Sequence, residues 1–268
     1  MRLRLTVVAA AVLVLGVLPF VVSRAQTARL AETGAYAIVL VGLTTLGRAS
    51  RISLGQGAVM AVGGFTTALL VAREGVPALV TLPAAAAAGA AVGLLAAAPV
   101  VGRPGRYLAV PTLGLAAALP AILAGYRPVE LPHPPAARVV YAVSWLLAVC
   151  LVAWVPSGLR LLDRAPPLAV DACSAACGGI GGGLVVLLLG RAAPAAFPLQ
   201  LSLLLAAAAC LAFYMPVAWA AVLGAAALEY VPDLVGHEGA GPAPVATVFG
   251  LGLVVLVLLS PLARRLRR

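Results

Sequence analysis

The chain has 268 residues, 63% of them apolar and 10% charged, with a formal charge of +10 and a mean hydropathy of +1.12. Soluble domains hold roughly 45–50% apolar and 25% charged residues, so this composition excludes a water-soluble globular protein and leaves a membrane protein. The basic residues, all arginine, are scattered through short segments and form no stripe or single face, which speaks against nucleic-acid binding.

Continuous Ala/Leu/Val runs without strict alternation fit helices and exclude a closed barrel. The spacing predicts membrane segments near residues 5–22, 33–46, 52–72, 77–101, 107–125, 139–155, 172–189, 198–214, 216–229 and 245–262, about ten transmembrane or partly re-entrant helices in an all-α polytopic protein. The first run ends at Ser23-Arg24-Ala25, a small-x-small pattern open to a signal peptidase; it is longer than an ordinary signal core and is expected to be retained. Two segments are weak. Residues 53–70 are rich in small and polar side chains, and 216–229 is too short to span untilted, so either is expected to be broken or re-entrant.

With the N-terminus in the cytoplasm, the alternating loops place twelve arginines inside: Arg2, Arg4, Arg48, Arg51, Arg103, Arg106, Arg160, Arg164, Arg264, Arg265, Arg267 and Arg268. Six fall outside, the asymmetry expected of a multi-pass plasma-membrane protein with both termini cytoplasmic. No soluble domain is left over, so residues 1–268 read as one transmembrane domain, with 156–171 as a short cytoplasmic loop punctuated by Pro166-Pro167.

Catalytic signals are missing. His133 lies between prolines and His237 beside Glu238, neither at ligand spacing to a second histidine, and Cys173 and Cys177 sit one helical turn apart with no histidine nearby. No metal, no cofactor and no enzymatic activity are therefore expected. The chain contains no lysine, which a nucleotide phosphate loop needs, so the run Gly178 to Gly183 reads as close helix packing of the small-xxx-small kind. All eight acidic residues fall at or beyond the expected span ends, against an ion-coupled carrier with a midplane carboxylate. A passive pathway or a translocation subunit driven from outside remains.

Polar side chains inside a bilayer should face the bundle interior. Ser53, Gln56, Gly57, Gly63, Gly64, Thr66 and Thr67 are accordingly candidates to line or shape a solute path, with interhelical hydrogen bonding as the other use of the same residues.

YAIVLVGLTTLGRASRISLGQGAVMAVGGFTTALL at Tyr36 to Leu70 resembles the signature of permease subunits of branched-chain amino acid ABC importers, the LivM-like half in particular. GRPGRYLAVPTLGLAAAL at Gly102 to Leu119, SAACGGIGGGLVVLLLGRAAPAAFPL at Ser174 to Leu199 and VLGAAALEYVPDL at Val222 to Leu234 are similar to later stretches of that family in the same order. Ser53-Leu54-Gly55-Gln56-Gly57 is the most specific part. The resemblance implies a second permease subunit, identical or homologous, two cytoplasmic ATPase subunits and an extracytoplasmic solute-binding protein as partners, with ATP hydrolysed elsewhere. It also implies ATPase docking in the 156–171 loop, at Leu159, Arg160, Leu161, Leu162, Asp163 and Arg164. The chain departs from the family in that short loop, in Cys210 to Ala225 where a glycine-rich turn is usual, and at Thr44, where the family often has Asn. A permease for a sugar, nucleoside or small amide, a secondary carrier and a non-transport scaffold are the other readings.

Overall fold

The computed structural model describes residues 18–123, 125, 127–162, 166–213 and 215–235. Eight α-helices are defined among them: α1 (Arg24–Arg48), α2 (Gln56–Glu74), α3 (Leu82–Ala97), α4 (Ala109–Leu123), α5 (Ala137–Leu162), α6 (Pro167–Leu189), α7 (Leu199–Ala209) and α8 (Val217–Val235). The expected segment 245–262, and all but the last residues of 5–22, lie outside the described residues.

α1 begins nine residues before the expected span. Ser23 caps it, its Oγ accepting from the Gln26 N–H at 3.3 Å while the Ser23 N–H donates to Gln26 Oε1 at 3.0 Å, a reciprocal capping box. Ser23-Arg24-Ala25 thus serves as a helix start in the structure. Apolar residues all round α1 suit a helix enclosed by others, and 83% of its apolar window is buried, against 22%, 17% and 22% for the spans containing α3, α4 and α5. α1 therefore lies at the centre, between α5, α6 and α8, and the poorly buried helices lie at the periphery. Trp145 of α5 donates from Nε1 to the Leu30 carbonyl at 2.9 Å and fixes one side of this packing.

Among the described residues five helices are long and apolar enough to cross a membrane. Helix α2 is not one of the five because its polar residues lower its hydropathy, yet it is a continuous 19-residue helix, as is α8. The expectation of a break in either is corrected: burial among neighbouring helices holds α2 helical without lipid-facing hydrophobicity. The interrupted segment is 198–214 instead. There α7 has 11 residues, which at 1.5 Å each reach about 16 Å, half of the hydrocarbon thickness. Single 3-10 turns at Pro194–Ala196 and Cys210–Phe213 flank it. Pro194 and Pro198 prevent an earlier helix start, and buried Phe197 reaches Gly64, halfway along α2.

The two ends of the bundle differ. At one end β1 (Val129–Glu130) pairs antiparallel with β2 (Arg191–Ala192), Val129 opposite Ala192 and Glu130 opposite Arg191. Leu131 N–H extends the contact to the Gly190 carbonyl at 2.8 Å, and Gly190 closes α6 with φ +70°. At the opposite end, the connection after α1 meets the one before α4 through Ile52 N–H to the Gly105 carbonyl at 3.4 Å, and Leu46, Ala97, Leu108 and Val170 cluster beneath. Arg48, Arg51, Arg103 and Arg106 all gather here, and it is called the arginine end below.

The expected loop 156–171 is corrected as well. α5 continues through Leu162 and α6 starts at Pro167, leaving residues 163–166 between them. Pro167 occupies the first turn of α6, where its missing N–H removes no helical hydrogen bond.

Candidate functional site

The bundle interior is organised on α6. Its glycines bring three helices into backbone contact: a Cβ at Gly182 would strike the Met60 carbonyl of α2, one at Gly179 the Ala85 carbonyl of α3, and one at Gly181 the Val39 side chain of α1. Packing of this closeness is what membrane helices use in place of a hydrophobic driving force. The Gly178 to Gly183 run is a packing surface, as its spacing predicts.

Of the seven candidate path residues, five lie inside these contacts. Gly63 faces the Gly179 backbone, Gly64 fits under Val186 and Phe197, and Gly57 donates its N–H to Ser202 Oγ of α7 at 3.0 Å. Gln56, 2% exposed, donates from Nε2 to the Ser174 carbonyl of α6 at 2.8 Å. Thr67 is fully buried, and among the described residues its Oγ1 finds no partner. Thr66 is half-buried and turns its hydroxyl back to the Val62 carbonyl at 2.8 Å. Ser53, at the start of this stretch, is buried, accepts the Gly55 N–H at 3.4 Å and borders two small spaces. Of the expected docking residues, Leu159, Arg160, Leu161 and Leu162 form the last turn of α5, and Asp163 and Arg164 lie outside the described residues.

Sequence reading missed the strongest polar contact. Arg51 donates from Nε to Asp171 Oδ1 at 2.6 Å and from Nη2 to Oδ2 at 2.5 Å, with both side chains almost fully buried. Asp171 was expected beyond the end of its span; it is the fifth residue of α6 and 4% exposed. A bidentate guanidinium–carboxylate pair satisfies both groups and neutralises them together, which allows a carboxylate inside the bundle. The available signal was the alignment of Asp171 with Ser174, one turn apart on one face of a helix that is otherwise apolar. Thr112 was missed too: its Oγ1 accepts from the Leu54 N–H at 3.0 Å and donates to the Leu108 carbonyl at 2.8 Å, holding the approach to α2.

Two spaces adjoin Ser53. One is an internal cavity of about 20 Å³ bordered by Gln56, Thr112, Asp171 and Ser174, enough for a single water. The other is a cleft of about 110 Å³ between the end of α1, the following connection and α7, walled by Leu43, Gly47, Arg48, Ala206 and Ala209. Among the described residues no group of three His, Cys, Asp or Glu is placed to hold a metal ion.

Apolar helices long enough to span, packed around internal polar contacts and small residues, define a multi-pass membrane protein. Residues 27–132, from α1 to just past β1, match the family described as branched-chain amino acid transport system / permease component. Over 97 residues the chain is 38% identical to the high-affinity branched-chain amino acid transport system permease protein LivM of Salmonella typhimurium. That stretch is 36% of this chain and 23% of the relative's length, so the chain matches about a quarter of that protein. No solved structure matches. The likeness to this permease family rests on that N-terminal part of the chain.

Proposed function

We propose that the chain is the transmembrane permease subunit of an ATP-driven importer for branched-chain or related amino acids, and that it forms the translocation path with a second permease. The observation that supports this reading is where the family match falls. It covers most of α1 and all of α2 to α4, and so includes Ser53, Gln56 and Gly57 together with Gly63 and Gly64, the α2 glycines that face α6. Its other components would be cytoplasmic ATPase subunits and an extracytoplasmic solute-binding protein, in a bacterial inner membrane with the arginine end inside, as the loop charges favour. The last turn of α5, Leu159 to Leu162, and the adjoining Asp163 and Arg164 would contact the ATPase.

In this scheme ATP-driven closure of the two ATPases rocks the permeases between outward- and inward-facing arrangements. α6 is suited to carry such movement, because its glycines fix it rigidly to α1, α2 and α3. Ser53 and the first turn of α2 border the open spaces at the arginine end and would meet the solute there.

Reconstitution tests the reading. Co-expressed with a second permease, ATPase subunits and a solute-binding protein from the same organism, the chain should support ATP-dependent accumulation of leucine, isoleucine or valine in proteoliposomes. Concentration of an amino acid by the chain alone, using only an ion gradient, refutes it.

A further inference from the structure

We infer that the cleft at the arginine end is a subsite for a zwitterionic aliphatic amino acid, occupied on the inward-facing side of the transport cycle. The inference rests on the proposed function and names the part of the chain that meets the substrate. Its first support is size and lining. The cleft measures about 110 Å³, and Leu43, Ala206 and Ala209 give it an apolar floor. Apolar cavities of roughly 150 Å³ accept benzene, so this volume suits a branched side chain of four carbons better than an aromatic one.

Its second support is charge at the mouth. Arg51 is committed to Asp171 through both carboxylate oxygens, whereas Arg48 is exposed on the cleft wall and has the planar fork that holds a carboxylate. The C-terminus of α1 ends at the same wall; its Thr45, Leu46 and Gly47 carbonyls already accept from the Ala49, Ser50 and Arg51 N–H groups, so it favours an ammonium group through the partial negative charge of the helix end and not by direct hydrogen bonds. Ser53 adds a hydroxyl on the opposite side. Cation, negative helix end and apolar floor thus match the three parts of leucine, isoleucine or valine.

Gly47 makes the idea testable. It lines the cleft, and a Cβ built there meets no atom within 4 Å, so a side chain at 47 enters the cleft without displacing a neighbour. The experiment uses the complete importer in proteoliposomes, with Gly47→Cys introduced and the four native cysteines replaced by alanine. Labelling by a membrane-permeant maleimide is followed with leucine, alanine or hexanoate on the inner side. Leucine should slow labelling by roughly tenfold, the discrimination expected of an apolar pocket; alanine should slow it less, and Arg48→Gln should remove the protection. Gly47→Leu should lower leucine transport more than alanine transport, a size-selective loss that general misfolding does not produce.

Equal labelling with and without leucine, in an importer that takes leucine up, overturns the subsite and leaves the proposed function standing. Protection by hexanoate as strong as by leucine also overturns it, marking the cleft as a slot for lipid chains. An assembled importer that moves no aliphatic amino acid refutes the proposed function itself.

Discussion

Arg51 and Asp171 meet inside the bundle through two parallel hydrogen bonds of 2.6 and 2.5 Å, joining the connection after α1 to the start of α6 across 120 residues of chain. A buried pair of this kind is expensive to break because the survivor is left charged and unpartnered. Arg51→Ala or Asp171→Ala alone should destabilise the solubilised protein by about 3–5 kcal/mol. Arg51→Met combined with Asp171→Leu should recover most of that loss, since apolar replacement of both partners removes the stranded charge. Thermal unfolding in detergent measures both. A double variant no more stable than the single ones would mean that the pair itself, and not charge satisfaction, holds the two elements together.

Gly63 and Gly179 touch backbone to backbone, leaving no room for a Cβ on α2. Gly63→Leu should push α2 away from α6 and stop uptake, while the chain still inserts, because insertion depends on each helix and not on their contact. Uptake assayed beside membrane fractionation separates the two effects. Normal uptake by this variant would show that α2 and α6 need not stay in contact during transport.

Two buried threonines should respond in opposite ways. Thr67 Oγ1 has no hydrogen-bond partner among the described residues, so Thr67→Val should leave stability unchanged or raise it by up to about 1 kcal/mol. Thr112 Oγ1 accepts the Leu54 N–H, so Thr112→Val strands a backbone donor and should cost about 1–3 kcal/mol. Melting temperatures of the two variants in the same detergent give the comparison.

Helices were legible where composition alone decides them. The runs that became α3, α4 and α6 are apolar through most of their length, and their bounds follow from hydropathy. α2 and α7 differ from expectation for two physical reasons: hydropathy does not register burial among protein neighbours, and it does not register where prolines delay a helix. α2 is helical because its neighbours enclose Gln56 and Thr67, and α7 is short because Pro194 and Pro198 delay it until mid-depth. The glycine run on α6 was readable as packing, since close approach is a property of the residues themselves. The Arg51–Asp171 pair was not, because its partners are distant in sequence and each, taken alone, looks like an ordinary charge at a span end. Ser53 was singled out for its polarity, but only the folded chain opens two spaces beside it.

The link between the proposed docking segment and the interior is short. α5 runs without interruption to Leu162, residues 163–166 follow, and Asp171 is the fifth residue of the next helix. Under the proposed docking, the ATPase would push on a turn only four residues of chain away from a helix that is clamped to Arg51 and, through its glycines, to α2. Changing both leucines to aspartate should abolish apolar contact with the ATPase, so that the assembled importer hydrolyses ATP without moving amino acid, or fails to bind the ATPase at all. Substrate-stimulated ATP turnover and uptake are measured on the same vesicles, with co-purification of the ATPase as the control. Unchanged coupling in the double variant would put the docking surface elsewhere at the arginine end. The connections 49–55 and 102–108, which carry Arg51, Arg103 and Arg106 and are hydrogen-bonded to each other through Ile52 and Gly105, would then be the next place to substitute, together with Arg48 at the end of α1.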